Sequence, residues 1–277
     1  MNENSIKSID WAHKLPDHWA VIRIKYIADT ALENSFADGD WIESPYITDA
    51  GIRYLTSGNI GDGIFKEQGC GYISEKTFAE LNCKYAYPGD LVFSRLNAPF
   101  GRACILPDAQ DKYVLAVDNV IVRTKQEVDK HFICYVAQCN EFHMKASELA
   151  KGTAMRRISR TQLGDMRIPF PPLHEQKDIV LFLNAKCAAI DEAIERHKKI
   201  IEKLDMHRRI ATFNAVTKGI SRSQLVPSGE EWLGDIPCSW KVQRNWTLFR
   251  ETNERGEDGL PVLMNIPRRI DHLHRAG

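Results

Sequence analysis

Pro171-Pro172-Leu173-His174-Glu175-Gln176 opens a stretch that runs to Ile220 with no further proline and no glycine before Gly219. Prolines suit the first turn of a helix, a carboxylate such as Glu175 opposes the positive end of the helix dipole, and Gly219 is a natural stop. The stretch therefore predicts one long helix over 171–220. Apolar residues recur on a seven-residue frame, with Val180, Cys187, Ile194 and Ile201 on one row and Leu183, Ile190, Leu204 and Ala211 on the other. His197 interrupts the second row and Arg208 ends the first. At 1.5 Å per residue, Leu173 to Phe213 would span roughly 60 Å, more than a compact domain needs. A helix with such a seam calls for a partner.

Outward from this helix, the chain of 277 residues is long enough for one large domain or two smaller ones, and 43% hydrophobic residues allow a real core. The longest apolar runs are too short to cross a bilayer, and the opening residues to Ile9 lack the apolar core of a signal peptide, so a cytoplasmic protein is expected. Seven cysteines, odd in number and scattered, fit free thiols better than a disulfide framework. Formal charge balances at 37 basic against 37 acidic residues. Locally it does not: Lys151, Arg156, Arg157, Arg160 and Arg167 stand against Asp165 alone. A basic segment of this kind can neutralise phosphates, though a solvated loop has the same composition.

An internal repeat organises the remainder. Trp11, Pro16, Trp19, Val21 and Arg23 recur as Trp232, Pro237, Trp240, Val242 and Arg244 at a constant offset of 221 residues. The shared element is an aromatic-proline turn that opens a domain, so a second unit is expected from near Glu230. The residues after it are too few to bury a core alone, which suggests a first unit joined to the opening of a truncated second. The expected division is a lead-in over 1–14, a recognition domain over 15–170, the helix over 171–220, a linker over 221–229 and the second opening over 230–277. The first domain reads as α+β and strand-rich, with β-prone runs at Ile52–Leu55, Gly71–Ile73, Asp90–Ser94, Ala103–Leu106 and Val114–Val122, and helices at Glu75–Leu81 and Val128–Glu148.

Motifs for catalysis are missing: no phosphate loop, nucleophile elbow, metal helix or dinucleotide-binding glycine loop occurs. Cys134, Cys139 and His143 are spaced loosely like zinc ligands, but they lack a fourth partner and fit a buried helix face as well. Recognition chemistry is better represented. Ser94, Arg95 and Asn97 end a strand, Arg102 follows a short loop, and Lys151, Arg156, Arg157, Arg160, Thr161 and Gln162 form the densest set of donors, all types that pair with phosphates or base edges. Each also has an ordinary use in surface salt bridges.

Taken together, the opening Leu-Pro-Asp-His-Trp-Ala-Val-Ile-Arg, the strand Pro88-Gly89-Asp90-Leu91-Val92-Phe93-Ser94-Arg95, and Ile168-Pro169-Phe170-Pro171-Pro172-Leu173-His174-Glu175-Gln176 before a long helix resemble the specificity subunits of type I restriction-modification systems. The resemblance covers residues 9 to about 250. It implies target-recognition domains that each read half of a split DNA site, long helices that pair antiparallel and set the gap, and a subunit with no catalytic site or cofactor of its own. Methyltransferase and restriction subunits would assemble on that frame, bringing S-adenosylmethionine, ATP and magnesium. With one domain and one helix in this sequence, two copies are expected to pair through Val180, Leu183, Cys187, Ile190, Ile194, Ile201 and Leu204, giving a palindromic, gapped target. Two alternatives stay open: a disrupted, inactive specificity subunit, or a coiled-coil scaffold that never touches DNA.

Overall fold

A computed structural model describes residues 15–248 apart from residues 70, 154, 221 and 222; Trp11 and the segment beyond 248 lie outside the described residues. The chain divides into two compact units, one through Glu192 and one from Ala193 onward.

The first unit is α+β, built in layers. Strands β2 (Phe36–Asp38), β6 (Leu91–Ser94), β7 (Ala103–Ile105) and β9 (Asn119–Val122) form an antiparallel sheet in the order β2-β9-β6-β7. Strands β3 (Ile52–Leu55), β4 (Tyr72–Ile73), β5 (Tyr85–Ala86) and β8 (Tyr113–Leu115) form a mixed sheet in the order β4-β3-β8-β5, in which β3 and β8 run parallel. Alternation along the strands decides the layering. Leu91, Phe93, Val120 and Val122 point to a core shared with helices, whereas Val92 and Ile121 point to a core shared with Leu55, Tyr113 and Leu115 of the mixed sheet. Tyr54, Ile52 and Val114 pack on the far face of that second sheet. Covered on both faces, β6 and β9 read as continuous apolar runs instead of alternating ones.

Helices α2 (Lys130–Ala137), α3 (Asn140–Leu149) and α4 (Arg160–Asp165) supply the helical layer through Phe132, Ile133, Phe142, Ala146 and Leu163. The helix expected over Val128–Glu148 is thus two. Gln138 ends α2, and Cys139 is extended (φ −66°, ψ 133°) before α3 begins. The break lets Phe142 enter the core beside Gly101, where an added Cβ would lie 2.8 Å from the Phe142 ring. The expected strand over Val114–Val122 is also split, between β8 and β9 of different sheets, because the chain crosses from one sheet to the other at Ala116–Asp118. Helix α1 (Glu75–Glu80) starts where expected, capped by the Ser74 hydroxyl, which accepts from the Thr77 N–H.

A two-stranded antiparallel ribbon of β1 (Ala20–Arg23) and β10 (Arg167–Phe170) joins the start of the domain to the residues just before the long helix. Pro169 is tolerated there because a ribbon has free edges. Helix α5 then runs 46 residues, Leu173–Lys218, about 69 Å at 1.5 Å per residue. Gly219 ends it at φ +72°, a conformation glycine adopts without strain. The first turns of α5 are fastened to the domain. Gln176 is fully buried; its Oε1 accepts from the Asp129 N–H at 2.8 Å, and its Nε2 donates to the carbonyls of Pro171 (2.8 Å) and Glu127 (3.2 Å). Val180 belongs to the helical core, and the Tyr135 hydroxyl donates to Asn184 at 2.7 Å. Val180, expected on the helix-pairing seam, is therefore covered by its own domain.

The repeat folds alike, locally, in both copies: the Trp19 N–H donates to the Pro16 carbonyl at 3.0 Å and the Trp240 N–H to the Pro237 carbonyl at 2.8 Å. In the first copy the Trp19 indole also donates to Glu175 at 2.9 Å, and His18 meets the other oxygen of that carboxylate at 2.8 Å. The opening turn thereby grips the first turn of α5. In the second unit a hairpin of β11 (Leu225–Pro227) and β12 (Asp235–Pro237) precedes Trp240, whose ring lies over Gly219.

Candidate nucleic-acid interface

Two stretches some sixty residues apart form one edge of the first unit. Beyond β6 the chain passes through Asn97, at φ +58° in the left-handed region that asparagine tolerates, and returns into β7 after Gly101. Leu96 pairs with Arg157, Arg157 pairs with Lys151, the Asn97 N–H donates to the Arg156 carbonyl at 3.3 Å, and the Ile158 N–H donates to the Arg95 carbonyl at 3.1 Å. The turn that returns residues 151–157 on themselves needs Gly152: its φ is +112°, and a Cβ there would lie 2.8 Å from the Met155 carbonyl oxygen. The two donor clusters found in sequence are therefore neighbours.

Their side chains divide into two classes. Ser94 is fully buried and Arg95 is 7% exposed. The Arg95 guanidinium donates to the carbonyls of Ile158 (3.1 Å) and Val117 (2.6 Å) and pairs with Asp38 at 3.1 Å. A buried arginine held this way braces the loop. Arg102 is similarly engaged, donating to the carbonyls of Ile60, Ser57, Asn97, Ala98 and Pro99, and burial pushes its pKa below the ordinary arginine value. Gln162 closes a capping box with Ser159 and donates to the Leu149 carbonyl at 3.3 Å. Arg156 is exposed, with its guanidinium tethered by donating to the Ser147 carbonyl at 2.9 Å and lying over the Phe100 ring, as Arg160 is tethered to the Phe36 carbonyl at 3.2 Å.

The second class faces solvent. Arg157 pairs with Asp118 at 3.2 Å and Arg160 with Asp38 at 3.4 Å, each with its side chain more than two-fifths exposed. The arginine ends are exposed while Asp118 is buried and Asp38 partly so, which positions the guanidinium groups with one side left open to solvent. Asn97, Lys151 and Thr161 are exposed. The ridge carries more cations than anions, and its two carboxylates, Asp38 and Asp118, stand beneath the arginines as orienting groups. Sequence reasoning missed both aspartates, since nothing local to either marks a partner 39 residues away for Asp118 and 57 for Asp38. It also missed Arg53, which is buried beside a cavity of about 250 Å³ and donates to the carbonyls of Gly71, Gln68 and Gly69 and to Glu67.

The zinc-like trio does not converge. Cys134 is buried in the core with its thiol pushed up to about 12 by desolvation, Cys139 precedes α3, and His143 bonds the Phe100 carbonyl and Asp62.

A family model described as the type I restriction modification DNA specificity domain matches residues 16–206, from the opening turn to well along α5. The chain belongs to that family. Among curated relatives, the type I restriction enzyme MjaVIII specificity subunit of Methanocaldococcus jannaschii is 24% identical over 202 residues, covering 71% of this chain and 45% of the relative. The type I restriction enzyme EcoDI specificity subunit of Escherichia coli is 23% identical over 229 residues, covering 83% and 45%. The chain thus spans less than half the length of these relatives. A chain solved in a study of complex assembly and conformational transition of the type I R-M system superposes with a TM-score of 0.51 at 20% identity, over 69% of this chain and 45% of that one, which shows a common fold. The specificity-domain family agrees with the α+β recognition domain and long helix read from sequence. Among the described residues no helix is long and apolar enough to cross a membrane.

Proposed function

We propose that the chain is a non-catalytic sequence-reading subunit of a cytoplasmic type I restriction-modification complex, in which the ridge of residues 94–102 and 151–161 faces one half of a split DNA site. The observation that carries the reading is the specificity-domain match over residues 16–206, on a domain whose two loop clusters of donors lie side by side. Within the ridge, Asn97, Lys151, Arg157, Arg160 and Thr161 reach DNA, while Ser94, Arg95, Arg102, Arg156 and Gln162 hold the loops in place. The exposed face of α5 pairs with a second copy, so that two domains read a gapped palindrome. Methyltransferase and restriction subunits dock on this frame and carry S-adenosylmethionine, ATP and magnesium.

The test is binding of the purified chain to duplex DNA over a range of salt, alone and with a methyltransferase subunit. Affinity that falls steeply with salt and a stable complex with the methyltransferase subunit support the reading. No DNA binding at low salt in either preparation contradicts it and favours a scaffold.

A further inference from the structure

Outside the ridge, the β1–β10 ribbon concentrates positive charge on its outer face. Ile22 and Ile168 are register partners and pack on the helical core, so the next pair along, Arg23 and Arg167, belongs to the opposite face. Two arginines directly opposite each other disfavour the strand pair. Lys25 adds a third cation. Its stem lies against α4, where a Cβ added at Gly164 would be 3.3 Å from the Lys25 Cβ, and its ammonium reaches Asp165 at 2.8 Å. Arg23 reaches the same carboxylate oxygen at 3.3 Å. These side chains are 37% to 43% exposed, and ion pairs so exposed contribute little to stability.

The internal repeat carries the same arginine twice, and Arg244, like Arg167, is exposed. The proline and tryptophan of the repeat form a turn in both copies, which accounts for them. An exposed arginine does little for a turn, so its recurrence points to something outside the chain.

Position names the partner. Helix α4 starts at Arg160, which belongs to the ridge, and ends at Asp165, which holds Arg23 and Lys25. Its six residues span about 9 Å at 1.5 Å per residue. Phosphates of one duplex strand follow each other at about 3.4 Å along the axis, so cations at the two ends of α4 match phosphates two or three base pairs apart. Because β10 ends at Phe170 and α5 begins at Leu173, the cluster lies where the domain meets its long helix.

We propose that Arg23, Lys25 and Arg167 form a phosphate-binding site for the DNA backbone in the unread gap beside the half-site, holding the duplex without reading its sequence. The site rests on the reading of the ridge as the DNA-facing edge, and it continues that contact toward α5. Asp165 orients two of the cations while its own charge limits their hold on phosphate.

The test uses the whole chain, alone and with a type I methyltransferase subunit, on a duplex carrying the half-sites that the chain selects. Lys25→Gln and Arg167→Gln should each weaken binding roughly fivefold at about 0.1 M salt and lower the salt slope by about one, with the selected sequence unchanged. Asp165→Asn removes the competing anion and should tighten binding by a similar factor, a gain that a misfolded variant would not show. Uncharged methylphosphonates at the first three gap phosphates should weaken binding by the parent chain and abolish its advantage over Lys25→Gln. Variants that bind DNA as the parent does overturn the site and leave the ridge intact. Variants that lose the methyltransferase subunit while keeping the parent's DNA affinity and salt slope also overturn it, and make the cluster a protein contact. A parent chain that binds no DNA at low salt in either preparation overturns the ridge reading together with the site.

Discussion

Val180 and Ile201 occupy the same heptad row of α5, yet Val180 is 7% exposed within the core of the recognition domain and Ile201 is 59% exposed. The sequence pattern is the same at both places; the covering surface differs. Periodicity specifies which face of a helix is apolar and leaves open what covers it. At Val180 the cover is the domain's own helical layer, fixed by the fully buried Gln176 amide. At Ile201 the described residues supply no cover.

Substitutions along that row give the largest test of this contrast. Val180→Asp puts a charge into a closed core and should lower domain stability by about 3 kcal/mol or more, read by urea unfolding. Ile201→Glu should leave domain stability within about 0.5 kcal/mol and abolish self-association. Equal destabilisation by the two would break the comparison.

A second contrast of the same kind lies in the ridge. Arg95→Ala removes a buried guanidinium and leaves Asp38 and two carbonyls without it, which should cost about 3 kcal/mol in stability. Lys151→Ala should leave stability unchanged, weaken DNA binding evenly across sequences, and reduce the salt slope by about one. If Arg95→Ala instead shifts the preferred sequence with stability intact, the bracing role assigned to Arg95 fails.

The smallest effect is at the junction of domain and helix. Hydrogen bonds, first from the Trp19 indole and then from His18, hold the Glu175 carboxyl below its ordinary value of 4.5. A carboxylate depressed in the folded state contributes stability above its unfolded pKa and loses it as pH falls through the folded one. The stability difference between the parent chain and Glu175→Gln should therefore be present at pH 6 and shrink below about pH 4.5. A difference that stays constant down to pH 3 would mean that the contact does not depend on the charge.

These contrasts also show what could be read without coordinates. The long helix, its glycine stop and the α+β character of the first domain follow from local pattern, because proline, glycine and heptad spacing act within a few residues. The aromatic-proline turn was legible for the same reason. The split of Val114–Val122 between two sheets was not, since a strand buried on both faces has the same composition whichever sheet it joins. Nor was the division of the ridge. Arg95 and Lys151 look alike as donors in a sequence, and only the fold shows Arg95 held by Asp38 across 57 residues and Lys151 open to solvent.

The most direct test of the account is selection of bound duplexes from a random library, with the full chain in the presence of a type I methyltransferase subunit. The prediction is enrichment of two inverted half-sites separated by a fixed unspecified gap. Enrichment of an ungapped or asymmetric sequence would contradict the two-fold arrangement, and no enrichment at all would contradict sequence recognition by this chain.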